Sequence, residues 1–264
     1  MYRENVLKRN LANGEPIFGC WVETGSATNV EILGHAGFDF LLIDLEHGQG
    51  DLGDALQMLR AAQLTETPAV IRVPSNDPIF LKRILDAGAD SIMIPSVETA
   101  AEAEAAVRAC RYPPQGSRGY AAGVVRASSY GKVTDYIHRA NDNLLLIVQI
   151  ESAAAAEQAA AIAAVPGIDV AFIGCNDMAG SIGRLEQLDH PDVRALVART
   201  EAAIRSSGKW MGTVPSAGAT WQQLFAAGYQ MVPVALDVIL LRDSAQASVR
   251  EQRSFQQQRK GDSR

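Results

Sequence analysis

Apolar residues along this chain gather in short blocks, separated by alanine- and leucine-rich stretches with regularly spaced polar positions. The blocks are IFGCWV from Ile17, FDFLLIDL from Phe38, PAVIRVP from Pro68, SIMIPSV from Ser91, LLLIVQIE from Leu144, DVAFIGC from Asp169, WMGTVP from Trp210 and YQMVPVAL from Tyr229. They are nearly continuous in apolar residues rather than alternating, the pattern of strands covered on both faces in a parallel sheet. The stretches between them read as helices: TNVEILGHAG, DALQMLRAAQ, PIFLKRILDAG, TAAEAEAAVRAC, SAAAAEQAAAIAAV, PDVRALVARTEAAIRSSG and ATWQQLFAAG. Gly37, Gly88, Gly208 and Gly228 stand where helix C-caps are expected. Strand and helix alternate through all eight blocks, which predicts a (β/α)8 barrel. A doubly wound open sheet is the second choice, because no G-x-G-x-x-G opens a helix.

Two segments depart from this rhythm. RYPPQGSRGYAAGVVRASSYG, Arg111 to Gly131, is a long Pro-, Gly- and Ser-rich loop of the kind that serves function or an interface. The final stretch, REQRSFQQQRKGDSR, is polar and reads as an exposed, frayed tail.

The length of 264 residues suits one barrel of about 250, so residues 1–264 read as a single domain. With 47% apolar and 20% charged residues the chain can bury a large core, which excludes global disorder. Lys+Arg 24 against Asp+Glu 30 leaves a net charge of -6, a poor basis for binding nucleic acid or a membrane surface. No apolar run approaches the roughly 18 residues of a membrane span, and the N-terminus lacks a signal-peptide core. Cys20, Cys110 and Cys175 are few and widely spaced, which suits a reducing compartment. A cytoplasmic protein is the expectation.

In such a barrel the chemistry sits at the C-terminal ends of the strands. Strand two ends Asp44-Leu45-Glu46-His47-Gly48, strand three carries Arg72, strand five ends Gln149-Ile150-Glu151, and strand six ends Gly174-Cys175-Asn176-Asp177. These side chains are costly to bury unless paired or metal-bound, so their convergence on one mouth carries more information than any one of them. Glu151 and Asp177 can supply two hard oxygen ligands to Mg²⁺ or Mn²⁺, or each can cap the helix that follows it. His47, close to Asp44, is either a general base with an oriented ring or a loop histidine bonded to backbone. Arg72 either clamps a substrate carboxylate or enolate oxygen, or forms an internal salt bridge with Asp44 or Glu46.

Weaker signals surround these. The turn from Gly174 can present N–H groups to a carboxylate. Trp21 either walls the pocket or packs, and Cys175 reads as packing rather than nucleophile. Arg118 and Arg126 in the long loop can bind an anion or hold a subunit contact. His35, His138 and His190 receive no role. No lysine lies within a strand block and Lys209 only borders one, which argues against a Schiff base.

The elements FDFLLIDLEHG, PAVIRVPSND, LDAGADSIMIPSVETAAEAE, RGY…RASSYG, LLLIVQIES and DVAFIGCNDMAGSIG resemble the class II pyruvate aldolases typified by 4-hydroxy-2-oxoheptanedioate aldolase, relatives of the citrate lyase β-subunit group. The resemblance runs from about Phe18 to about Val234. It implies a divalent metal (Mg²⁺, Mn²⁺ or Co²⁺) on Glu151 and Asp177, pyruvyl contacts from Arg72 and Gln149, and proton transfer by His47 paired with Asp44. It also implies a homohexamer built as a trimer of dimers, with the helical region from about residue 236 exchanged between subunits. One departure is Cys175, where the family usually has proline; Gly48 fits the small residue usual after the histidine.

The expected reaction is reversible cleavage of a 4-hydroxy-2-oxo acid to pyruvate and an aldehyde, in sugar-acid or aromatic catabolism. Trp21, the Arg111–Gly131 loop and neighbouring subunits would read the aldehyde. A malyl- or citramalyl-CoA lyase would use the same site but needs a basic groove for CoA, and no dense basic cluster is present. A non-catalytic keto-acid-binding barrel is the remaining alternative.

Overall fold

The structure, a computed structural model, describes residues 3–216 and 218–261. Eight parallel strands close into a barrel in sequence order. They are β1 (Ile17–Val22), β2 (Phe40–Asp44), β3 (Ala69–Arg72), β4 (Ser91–Ile94), β5 (Leu145–Ile150), β6 (Val170–Ile173), β7 (Trp210–Gly212) and β8 (Met231–Leu236). The helices are α1 (Val6–Ala12), α2 (Ala27–Ala36), α3 (Leu52–Leu64), α4 (Pro78–Asp86), α5 (Ala100–Cys110), α6 (Tyr136–Asn143), α7 (Ala153–Glu157), α8 (Ala159–Ala164), α9 (Cys175–Ser181), α10 (Pro191–Ser206), α11 (Trp221–Ala226) and α12 (Asp237–Gly261). The predicted barrel is therefore the observed one.

The apolar blocks divide by parity, as a two-sided strand requires. One set of residues, including Trp21, Phe40, Leu42, Val70, Met93, Ile147, Phe172 and Met231, fills the barrel interior, and Leu7 and Leu11 of α1 join this inner cluster. The other set, including Cys20, Leu41, Ile43, Ile71, Ile92, Val148 and Ala171, packs outward against the helices. Two rings make the interior tight. A Cβ at Gly19 would lie 2.5 Å from the Phe40 ring, and one at Gly212 would lie 2.5 Å from Phe172, so those strands must be bare where the rings cross.

Helix starts are fixed locally. Asp51 with Asp54, Thr99 with Glu102 and Thr220 with Gln223 form reciprocal capping boxes, each satisfying donors that the first turn leaves free. Gly37 ends α2 at φ 92°, in the left-handed region open to glycine.

Several expectations are corrected. The alanine-rich stretch after β5 is two helices broken at Gln158, not one. The polar tail is helical as far as it is described, because α12 continues to Gly261. The long loop joins α5 to α6 at the strands' N-terminal ends, away from this chain's own mouth. Two of its arginines tie it to α3 and α4. Arg118 pairs with Asp86 at 2.7 Å and stacks on Tyr112 at 4.4 Å. Arg126 donates to the Ala87 carbonyl at 2.8 Å and to Gln63. Lys209, at the same end, donates to the Ile168 carbonyl at 2.7 Å.

Candidate active site

Asp44 is the last residue of β2, and its side chain is wholly inaccessible. Its Oδ1 accepts the backbone N–H groups of Glu46 at 2.9 Å and His47 at 3.3 Å, which turns the chain out of the strand. The turn is so close that a Cβ on Gly48 would lie 2.2 Å from the Asp44 carbonyl oxygen, which accounts for glycine there.

Arg72 stands beside Asp44 in register, one strand on. Its Nε donates to Asp44 Oδ1 at 2.9 Å and its Nη2 to Asp44 Oδ2, a two-point fork. Nη1 lies 2.8 Å from Glu46 Oε2, a close ion pair that is out of line for a hydrogen bond. The guanidinium sits 4.6 Å from the centre of the Trp21 ring, and Trp21 Nε1 donates to Asp44 Oδ2 at 3.1 Å. Trp21 thus packs beneath the Asp44–Arg72 pair and against Phe172.

The charges respond to this arrangement. Burial alone would push the Asp44 carboxyl up, but the hydrogen bonds and charge of Arg72 hold it below the ordinary aspartate value. Glu46 is pushed up by its burial, which outweighs the opposing pull of Arg72. The expected pairing of Asp44 with the His47 ring is not formed. Asp44 meets the His47 backbone, its remaining lone pairs go to Arg72 and Trp21, and the His47 side chain is exposed.

On the other side of the mouth, Glu151 follows β5 and is nearly buried. Ser96 donates to Glu151 Oε1 twice, from its backbone N–H at 2.7 Å and its hydroxyl at 2.9 Å. Gln149 Nε2 donates to Oε2 at 3.1 Å. Ser96 does this from a left-handed backbone, φ 52°, a costly conformation for a residue with a Cβ. Gln149 Oε1 is a buried acceptor with no partner among the described residues. Gly174 presses on Glu151, because a Cβ there would lie 2.8 Å from Oε2. The Gly174 N–H itself donates to the Ile150 carbonyl at 3.1 Å, so of the N–H groups of this turn it is not one left for a carboxylate. Asp177 lies in the first turn of α9, exposed.

Residues 17–244 match the HpcH/HpaI aldolase/citrate lyase family. The chain belongs to that family. It is 39% identical to a hydroxypyruvate/pyruvate aldolase of Roseobacter denitrificans over 243 residues, 92% of this chain and 95% of that one. It is 40% identical to a 2-dehydro-3,6-dideoxy-6-sulfogluconate aldolase of Pseudomonas putida over 240 residues, 91% and 92% of the two chains. The crystal structure of an HpcH/HpaI family protein from Burkholderia cenocepacia J2315 superposes with a TM-score of 0.90 at 40% identity, covering 94% of this chain and 99% of that one.

In this member of the HpcH/HpaI family, Cys175 opens α9 with its Sγ 3.7 Å from Thr213 Oγ1, which in turn donates to the Ile173 carbonyl at 2.9 Å. Burial pushes the Cys175 thiol up, away from its thiolate form. Ser96 and Glu23 are the mouth residues that the sequence reading passed over. The strand-end rule that picks out Asp44 and Arg72 would also have reached them, one residue past β1 and two past β4.

Proposed function

We propose that this protein is a divalent-metal-dependent pyruvate aldolase that reversibly cleaves a 4-hydroxy-2-oxo acid to pyruvate and an aldehyde. The observation that carries the reading is one mouth holding a rigidly forked Arg72 on one side and a Glu151 fixed by Ser96 and Gln149 on the other. The aldolase names of its relatives agree with it.

The residues fit a hard cation. Glu151 and Asp177 offer two carboxylates, and the orphaned Gln149 Oε1 offers an acceptor for a bound water. Among the described residues no cluster of three or more His, Cys, Asp or Glu could hold a metal, so a cation held by Glu151 and Asp177 would take its remaining ligands from water and substrate. Bound there, Mg²⁺, Mn²⁺ or Co²⁺ would supply Lewis-acid charge at the 2-oxo group.

The chain's own groups do the rest. His47, on the loop that Asp44 fixes through the backbone, takes the proton from the 4-hydroxyl, directly or through a water. The C3–C4 bond breaks, its electron pair goes to the pyruvate enolate, and C4 leaves as the aldehyde carbonyl. Arg72 places positive charge where the enolate oxygen develops, and Asp44 and Trp21 hold it there in advance. A proton then returns to C3 to give pyruvate.

Assembly into a homohexamer is part of the same reading. Val238, Ile239, Leu240, Leu241, Val249 and Phe255 of α12 are exposed, apolar surface that an exchanged helix would bury. The free cysteines support a cytoplasmic setting.

The test is pyruvate release from a 4-hydroxy-2-oxo acid with Mn²⁺, after EDTA, and in Asp177→Ala. Activity should disappear with EDTA, return with metal, and fall at least about a hundredfold in the variant. A rate indifferent to chelation refutes the metal, and an intact Asp177→Ala refutes that ligand.

A further inference from the structure

Glu23 follows β1 on the same parity as Ile17 and Trp21, which face the barrel interior, whereas Cys20 and Val22 face the helices. Its backbone is fixed from both sides of the rim. Its N–H donates to Asp237 Oδ1 at 3.0 Å, where β8 passes into α12, and its carbonyl accepts from the Gln49 N–H at 3.1 Å, in the loop after β2. The side chain is part-buried among the site's charged groups. Burial and the nearby Asp44 push its carboxyl up, with Arg72 and His47 pulling the other way.

The Glu23 carboxylate has no ion pair and no hydrogen bond among the described residues. The rest of the mouth is already matched. Arg72 is committed to Asp44 and Glu46. Glu151 and Asp177 are matched to the cation in the aldolase reading, on which this inference rests. Glu23 is therefore a surplus acceptor and a surplus negative charge on the rim that an incoming aldehyde crosses. An aldehyde with hydroxyl groups can donate to it, forming charge-assisted hydrogen bonds. An aldehyde ending in a carboxylate or sulfonate meets like charge in a half-dry site.

We propose that Glu23 is a specificity-determining residue that selects neutral, hydroxyl-bearing aldehydes and rejects acid-tailed ones. The experiment is aldol addition of pyruvate to three probes: glyceraldehyde (neutral, hydroxylated), propanal (neutral, bare) and succinic semialdehyde (anionic). The kcat/KM of each is compared in wild type and Glu23→Gln. Ratios within one protein are insensitive to partial loss of metal or folded enzyme. The wild type should rank glyceraldehyde above propanal and propanal above succinic semialdehyde. In Glu23→Gln the succinic semialdehyde to propanal ratio should rise about tenfold or more, and the glyceraldehyde to propanal ratio should fall several-fold. Unchanged ratios overturn the proposal, including the case where all three rates fall together, which would place Glu23 in the chemistry instead. A wild type that adds pyruvate to none of the probes overturns the aldolase reading, and the selectivity with it.

Discussion

Replacing Asp44 by asparagine removes the acid from the most completely buried ion pair of the mouth. The Asp44 carboxylate accepts two bonds from Arg72, one from Trp21 and two from the backbone of its own turn. The amide introduced by Asp44→Asn would turn an N–H₂ toward groups that are all donors. Arg72, with a side chain 8% exposed, would keep only the misaligned Glu46 contact. Stranding a buried charge in this way costs about 3–5 kcal/mol. At about 2.1 cal/mol/K per residue, a chain of 264 residues unfolds with an entropy of about 0.55 kcal/mol/K, so Tm should fall by about 5–9 °C. The assay is thermal unfolding by calorimetry or circular dichroism at one fixed protomer concentration. The double variant Asp44→Leu/Arg72→Met, which removes both charges, should recover much of the loss while remaining inactive. The pH dependence has a definite sign. Arg72 holds the folded-state pKa of Asp44 below its unfolded value, so its contribution is fully present above about pH 4 and fades as pH falls through the depressed value. The gap between wild type and Asp44→Asn should therefore be constant from pH 5 to 8 and close in stronger acid. An Asp44→Asn protein within about 1 kcal/mol of wild type, or a double variant less stable than the single one, would refute this reasoning.

Two further outcomes follow from the same geometry. Ser96→Ala keeps the backbone N–H bond to Glu151 and loses the hydroxyl one; Mn²⁺ binding measured by titration calorimetry should weaken about tenfold while Tm changes little. Burial raises the carboxyl of Asp90, at the barrel's N-terminal end, to about 6. A carboxyl raised above its unfolded value stabilises the fold least when ionised, so Asp90→Asn should raise Tm at pH 7–8 and lose that advantage progressively between about pH 6 and pH 4; an advantage independent of pH would contradict the assignment to ionisation.

The barrel was legible because each strand is covered twice. Blocks such as FLLID and LLIVQI have no polar face to alternate, and that continuity is what a closed parallel sheet demands. The misses have equally particular causes. The alanine-rich stretch has no glycine or proline to announce a break, yet Gln158 leaves the helix at φ -97°, ψ 0°, where packing rather than local sequence decides. The tail from Arg250 has good helix formers but no periodic apolar face, so composition alone made it look frayed.

The candidate site shows where sequence distance misleads. Asp44 and His47 are three residues apart, and that nearness suggested an oriented imidazole. Strand register decides otherwise: Asp44 pairs with Arg72, 28 positions along the chain. Two inward residues at the same level of adjacent strands lie about 4.8 Å apart, within reach of a guanidinium fork. Trp21, in from β1, takes a further Asp44 lone pair. An acid engaged by three side-chain donors and two backbone N–H groups has nothing left for an imidazole. The His47 ring is therefore not paired with Asp44, which meets that residue only at its backbone N–H. Asp44 is accordingly a positioning residue: it holds the Arg72 guanidinium directly and the loop that carries His47 through the backbone.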